Sequence, residues 1–136
     1  MPIDTQLIAV ATDGSDTAQR AVSAAFTLAK RYEAQVVILT AYSVNATDGG
    51  VWASNSSTQA ERVLADAEEA AAAEGLACSS AMREGDPAEV IVSLAARHDA
   101  DLLVVGNLGM NRRVLGSVPN TVTHKAHCSV LVVRTT

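Results

Sequence analysis

The sequence predicts an α/β protein built on a single doubly wound, five-stranded parallel sheet with helices on both faces. Three observations carry that expectation. Short apolar, β-branched runs recur along the chain: LIAVAT (7–12), QVVILTAY (35–42), DLLVVG (101–106) and SVLVV (129–133), with LACSSAMRE (76–84) a weaker fifth. Runs that are apolar on both sides suit strands covered by helices above and below. Helical periodicity fills the intervals between them, and repeated strand–helix alternation indicates a parallel sheet. Aromatics are scarce, Phe26, Tyr32, Tyr42 and Trp52 being the whole set, so the core falls to Ala, Val, Leu and Ile.

Each element has its own justification. The first strand stops at Asp13-Gly14-Ser15, a turn cluster. From Ala18 the apolar positions 18, 21, 22, 25, 28, 29 and 32 keep the helical period. Asp16 with Gln19 forms the expected capping box, and Lys30 and Arg31 suit the negative end of the helix dipole. Residues 35–42 form the second strand, and the polar, Gly-rich stretch 45–57 is a loop. Thr58 with Glu61 is expected to box the next helix, which runs through VLADAEEAAAAE to Gly75 as its natural stop. The third strand, 76–84, shows the polar alternation of a sheet edge. Asp86-Pro87-Ala88-Glu89 combines an N-cap, a proline at the first helical position and a glutamate three residues after the cap. A fourth strand (101–106), a short helix (117–127) and a last strand (129–133) complete the chain.

Bulk properties narrow the function. A chain of 136 residues suits one domain spanning 1–136, and no repeat, linker or low-complexity boundary divides it. The net charge of −5 argues against a broad footprint for nucleic acid or anionic lipid. No run approaches the roughly 18 apolar residues of a membrane span, and the start MPIDTQL does not read as a signal peptide. A cytoplasmic location without nucleic-acid or membrane partners is therefore expected. Cys78 and Cys128 stand in no metal or redox spacing and are expected to be buried free thiols within strands.

In doubly wound sheets, ligands bind beyond the strand C-termini where the winding reverses. With strand order 3-2-1-4-5 that crevice lies between strands 1 and 4, walled by ATDGS (11–15) and GNLG (106–109). The order 2-1-3-4-5 would instead bring REGDP (83–87) beside ATDGS. Periodicity leaves both orders open, and the placement of the glycines favours the first. Residues 106–122 read GNLGMNRRVLGSVPNTV. A strand-to-helix link needs only about two to six residues, so this connection is longer than folding requires. Gly106 and Gly109 permit close approach of a ligand to the backbone. Gly116-Ser117 leads into a helix whose first N–H groups favour phosphate, and Arg112 and Arg113 can reach phosphate oxygens. Plain turn glycines, a capping serine and solvated arginines account for the same residues equally well by composition. The segment is neither a Walker A loop, lacking GK[ST], nor the dinucleotide fingerprint.

At these residues the chain resembles the universal stress protein family over nearly its whole length. The likeness rests on ATDGS after the first strand, GDPAEVI, and VVGNLG…GSVPNTV followed by CSVLVV. The resemblance implies the 3-2-1-4-5 fold, a homodimer and an adenine-nucleotide site. In ATP-binding members, Thr12 and Asp13 would approach the ribose or base, and Thr40 and Ala41 would flank the adenine. Gly106, Gly109, Gly116, Ser117 and Val118 would match the phosphate motif, with Arg112 and Arg113 nearby. The family's ATP pattern places nine residues between its second and third glycines, whereas this chain has MNRRVL. The shorter wall seats an α-phosphate, so AMP and cyclic AMP join ATP as expected ligands.

The remaining candidates have modest readings. Asp13 suits a polar ligand contact or a Mg²⁺ held with phosphates, or an Asx turn with Gly14 and Ser15. His124 and His127 near Cys128 lack acidic co-ligands and are expected as helix-end cations, as is His98. Trp52 either stacks on a base or docks on its own surface. Ser15 and Ser117 have no partner base and no GxSxG elbow is present, so no catalytic residue is assigned. A nucleotide-binding regulatory module of the stress response is expected, the alternatives being a nucleotide-free dimeric scaffold of the same fold and a weak ATP hydrolase. The run 129–133 would be an edge strand without proline or charge, which invites a second copy to pair with it.

Overall fold

Alternate residues along the central strands face opposite ways, and both directions are apolar. In the computed structural model, which describes residues 5–44, 55–107 and 117–134, this pattern becomes two helical layers on one sheet. The elements run β1 (Leu7–Ala11), α1 (Asp16–Tyr32), β2 (Gln35–Tyr42), α2 (Ser57–Ala73), β3 (Cys78–Glu84), α3 (Pro87–Arg97), β4 (Leu102–Gly106), α4 (Ser117–Lys125) and β5 (Ser129–Val133). All strand pairs are parallel, in the order β3-β2-β1-β4-β5. The alternative order, with β3 beside β1, is not formed.

Ile8, Val10, Val36, Ile38 and Val104 pack with the inner stripe of α1 (Ala21, Val22, Ala25, Phe26, Ala29) and with Leu64, Ala67 and Ala71 of α2. Ala9, Val37, Leu39, Leu103 and Val105 pack with Val90, Ile91, Leu94 and Ala95 of α3 and Val122 of α4. Alanines on the helices let the helical backbones lie close to the sheet, which is why so few aromatics fill this core. An ion pair, Lys125 Nζ to Glu89 Oε1 at 2.6 Å, ties α4 to α3, and Glu89 holds the Lys125 pKa above its ordinary value.

The helix starts differ from expectation at two of the three described caps. Ser15, not Asp16, caps α1: its backbone is extended and its hydroxyl accepts from the Ala18 N–H. Asp16 is already helical, where its charge suits the first turn. Ser56 rather than Thr58 caps α2, and its box partner is Gln59 rather than Glu61. In both cases an earlier serine reached extended backbone geometry first. Asp86 caps α3 as expected, with Pro87 following. The third strand begins at Cys78, two residues late, because the turn after α2 extends through Leu76, whose N–H bonds to Ala71 O. The last helix ends at Lys125, so His127 does not share a helical face with His124. Cys128 precedes β5 rather than lying in it, and both cysteines are half-buried rather than buried.

Candidate functional site

The residues after β1 are held by a set of backbone and side-chain hydrogen bonds. The Thr12 N–H continues the sheet to Leu39 O at 3.0 Å. Thr12 Oγ1 accepts from the Gly14 N–H at 3.1 Å, and Asp13 Oδ1 accepts from the Ser15 N–H at 2.9 Å. The Asp13 carbonyl accepts from Asn55 Nδ2 at 3.1 Å, and Asn55 O accepts from the Ser43 N–H at 2.9 Å. Asn55 therefore bridges the exits of β1 and β2. Gly14 has φ +81°, and a Cβ there would stand 2.7 Å from Val63 Cγ2 on α2. Only glycine lets α2 close so tightly on this turn. The Asx turn read from the sequence is formed, and Asp13 Oδ2 is left with no partner among the described residues.

A cleft of about 470 Å³, its solvent mouth included, opens beside this turn at the C-terminal ends of β1 and β4. Its lining includes Ala11, Thr12 and Asp13 after β1, Val105 and Gly106 at the end of β4, and Val118 in the first turn of α4. Ser15, Thr17 and Ala18 contribute from the start of α1, and Pro87 and Ile91 from α3. Among the described lining residues the polar side chains, Thr12, Asp13, Ser15 and Thr17, thus lie around the β1–α1 turn, and the others are apolar or glycine. Such a cleft at the switch point suits a ligand with one flat apolar part and one oxygen-rich part.

Among the residues expected at the site, Thr12, Asp13, Gly106 and Val118 come together in this cleft. Thr40 and Ala41 are buried and outside its lining. Ala41 packs in the α3–α4 layer, and Thr40 is fully buried, its Oγ1 lacking a hydrogen-bond partner among the described residues. Ser117 is the first residue of α4. Gly109, Arg112, Arg113 and Gly116 lie outside the described residues, as does Trp52. Sequence reasoning missed Thr17, Pro87 and Ile91. Pro87 belongs to the REGDP stretch that the other strand order would have used. It reaches the cleft because α3 lies across β2, a tertiary fact that no local signal contains.

Other chemistry finds little support. Burial, with help from Glu68, pushes the Cys78 thiol up to about 11, and burial raises that of Cys128. Both are protonated near neutrality and are poor nucleophiles. The His98 Nδ1–H donates to Leu94 O at 2.8 Å, closing the end of α3. Among the described residues no group of three His, Cys, Asp or Glu side chains is placed to hold a metal ion, and no helix is long and apolar enough to cross a membrane.

Comparison with known proteins agrees with this geometry. The model of the universal stress protein family matches residues 5–134. Universal stress protein Rv1636 of Mycobacterium tuberculosis is 35% identical over 144 residues, covering 95% of this chain and 96% of its own. Universal stress protein MJ0531 of Methanocaldococcus jannaschii is 34% identical over 137 residues, covering 93% and 81%. A crystal structure of a universal stress protein in complex with cAMP superposes with a TM-score of 0.77 at 34% identity, covering 97% of this chain and 98% of that one. With its sheet order, its cleft at the switch point and a match over almost its full length, the chain belongs to the universal stress protein family.

Proposed function

We propose that this protein is an adenine-nucleotide-binding regulatory module of the stress response, a single domain acting as a cytoplasmic homodimer rather than as a dedicated enzyme. The observation that carries the reading is the cleft between β1 and β4, whose lining brings Asp13 together with Gly106 and with Val118 at the start of α4. The similar protein crystallised with cAMP supports the ligand class. In this reading Asp13 accepts from a ribose hydroxyl, with Thr12 beside it. Gly106 and Val118, with Gly109, Arg112, Arg113, Gly116 and Ser117, receive the phosphate. Thr40 and Ala41, at the end of β2, flank the adenine. Cyclic AMP and AMP rank ahead of ATP, because MNRRVL supplies a shorter phosphate wall. For a Mg²⁺-nucleotide, Asp13 Oδ2 fits as one oxygen ligand, the other carboxylate oxygen being engaged by Ser15.

Titration calorimetry with cyclic AMP, AMP and ATP, the last with and without Mg²⁺, tests this. At least one nucleotide should bind, and Asp13→Asn should weaken it roughly ten-fold, the range for a hydrogen bond to a charged group. The melting temperature should hold, since asparagine's carbonyl oxygen can still accept from the Ser15 N–H. Failure of all three ligands would turn the reading to a nucleotide-free scaffold.

The dimer rests on β5, an edge strand whose Leu131 and Val132 are 36% and 40% exposed. A two-fold axis would pair two such edges and cover both. Sedimentation of the wild type should give a dimer that Leu131→Pro converts to monomer. A wild type that stays monomeric at high concentration would remove this part of the reading.

A further inference from the structure

Thr17 is at the second position of α1 and lines the cleft, yet the capping of α1 does not need it. Its Oγ1 lies 3.1 Å from Ser15 Oγ, and Ser15 Oγ already accepts from the Ala18 N–H at 3.2 Å. The proton count is decisive. Two hydroxyls carry two protons, the contact between them uses one, and the Ala18 N–H brings its own. One O–H remains, and among the described residues nothing accepts it. This holds whichever hydroxyl donates to the other. Both groups are half-buried at the wall of the cleft, so the remaining O–H is open to an acceptor that enters it.

We propose that the Ser15 hydroxyl donates to Thr17 Oγ1, so that the Thr17 O–H is a specificity-determining donor that reads an oxygen acceptor on the sugar–phosphate part of the nucleotide. The inference rests on the nucleotide reading above. Asp13, on the same wall, offers only acceptors and would repel a ligand oxygen that has no proton to give. The hydroxyl pair supplies the missing donor. A ribose hydroxyl can accept from it while donating to Asp13, and a phosphate oxygen can accept from it directly. The shared chemistry is an accepting oxygen, and ligand variants separate the two sources.

The test is calorimetric titration of cyclic AMP into the wild type, Thr17→Ala, Thr17→Val and Thr17→Ser. Alanine keeps the helix and valine keeps the shape, so a loss common to both reports the hydroxyl. Affinity should fall roughly three- to ten-fold in both, the size of one neutral hydrogen bond. Serine should retain it within about two-fold, and melting temperatures should stay close to wild type because Ser15 remains the cap. If the acceptor is the 2′-oxygen, the loss vanishes with 2′-deoxy cyclic AMP. If it is the phosphate, the loss vanishes with adenosine. A loss that persists with both ligands would exclude the 2′-oxygen and the phosphate as the acceptor and overturn the proposal. Wild-type binding with unchanged affinity in Thr17→Ala and Thr17→Val would overturn it alone, whereas a wild type that binds none of the nucleotides would overturn it together with the reading on which it rests.

Discussion

The two ends of the sheet are built on different principles. At the N-terminal end, three helices return to strands through the same turn. Glu33 (φ 55°), Gly75 (φ 76°) and Asp99 (φ 54°) each adopt left-handed backbone. The residue after each donates five positions back, from Ala34 to Ala29, Leu76 to Ala71 and Ala100 to Ala95, at 2.9–3.1 Å. These bonds satisfy the last carbonyls of the helix and aim the chain into the sheet. At the C-terminal end the two fully described connections differ from each other. Residues 12–15 form a turn crowded with side-chain bonds, Gly85-Asp86 makes a two-residue link, and 43–56 and 107–116 are long. One end only reverses the chain, so one solution serves three times. The other end holds the cleft, and the two connections described there have different forms.

The sharpest way to break this comparison is to add a methyl group at a glycine of each end. Gly14 and Gly75 have nearly the same φ, +81° and +76°, so the backbone cost of alanine is similar, about 1–2 kcal/mol. Their surroundings differ. A Cβ on Gly14 would be 2.7 Å from Val63 Cγ2, a stiff β-branched side chain, whereas one on Gly75 would have nothing within 4 Å. Gly14→Ala should therefore cost more than Gly75→Ala by about 1 kcal/mol or more, the scale of modest overpacking. Urea unfolding of both variants measures the gap. Only Gly14→Ala should also lower nucleotide affinity, because Asp13 moves with that turn. Equal losses of stability would mean that α2 is not tightly docked on the site.

The same contrast explains what could be read from the residues beforehand. The strands were legible because apolar β-branched runs are local, and Asp86-Pro87 announced α3 because cap and proline act on adjacent backbone. The caps of α1 and α2 were displaced by one or two positions because several polar residues competed for each, and the choice depends on which reaches extended geometry. Strand order did not follow from periodicity, since a strand with two apolar faces fits any interior position. In the site, Asp13 and Gly106 were legible as breaks directly after strands. Thr17, Pro87 and Ile91 were not, because they reach the cleft only once α1 and α3 have crossed the sheet. Thr40 is an even-numbered position on β2, as Ile38 is, and its side chain is fully buried.

The smallest expected effect has the opposite sign and tests whether the three turns at the N-terminal end are energetically as well as geometrically alike. Only α2 ends on a glycine. In α1 the left-handed position is taken by Glu33, whose Cβ crowds the backbone at a cost on the order of 1 kcal/mol. Asp99 does the same in α3, although aspartate tolerates this conformation better. Glu33 is exposed, and the ion pair across this corner, Lys30 to Glu74 at 2.5 Å, does not involve it. Glu33→Gly should therefore relieve strain without removing a contact. Glycine also enlarges the freedom of the unfolded chain, which takes back part of the gain. The net stabilisation should be about 0.5 kcal/mol, with Asp99→Gly giving less. A higher urea midpoint with an unchanged slope is the expected result. A lower midpoint would show that the Glu33 turn carries no strain for glycine to release, and that its likeness to the Gly75 turn is one of shape alone.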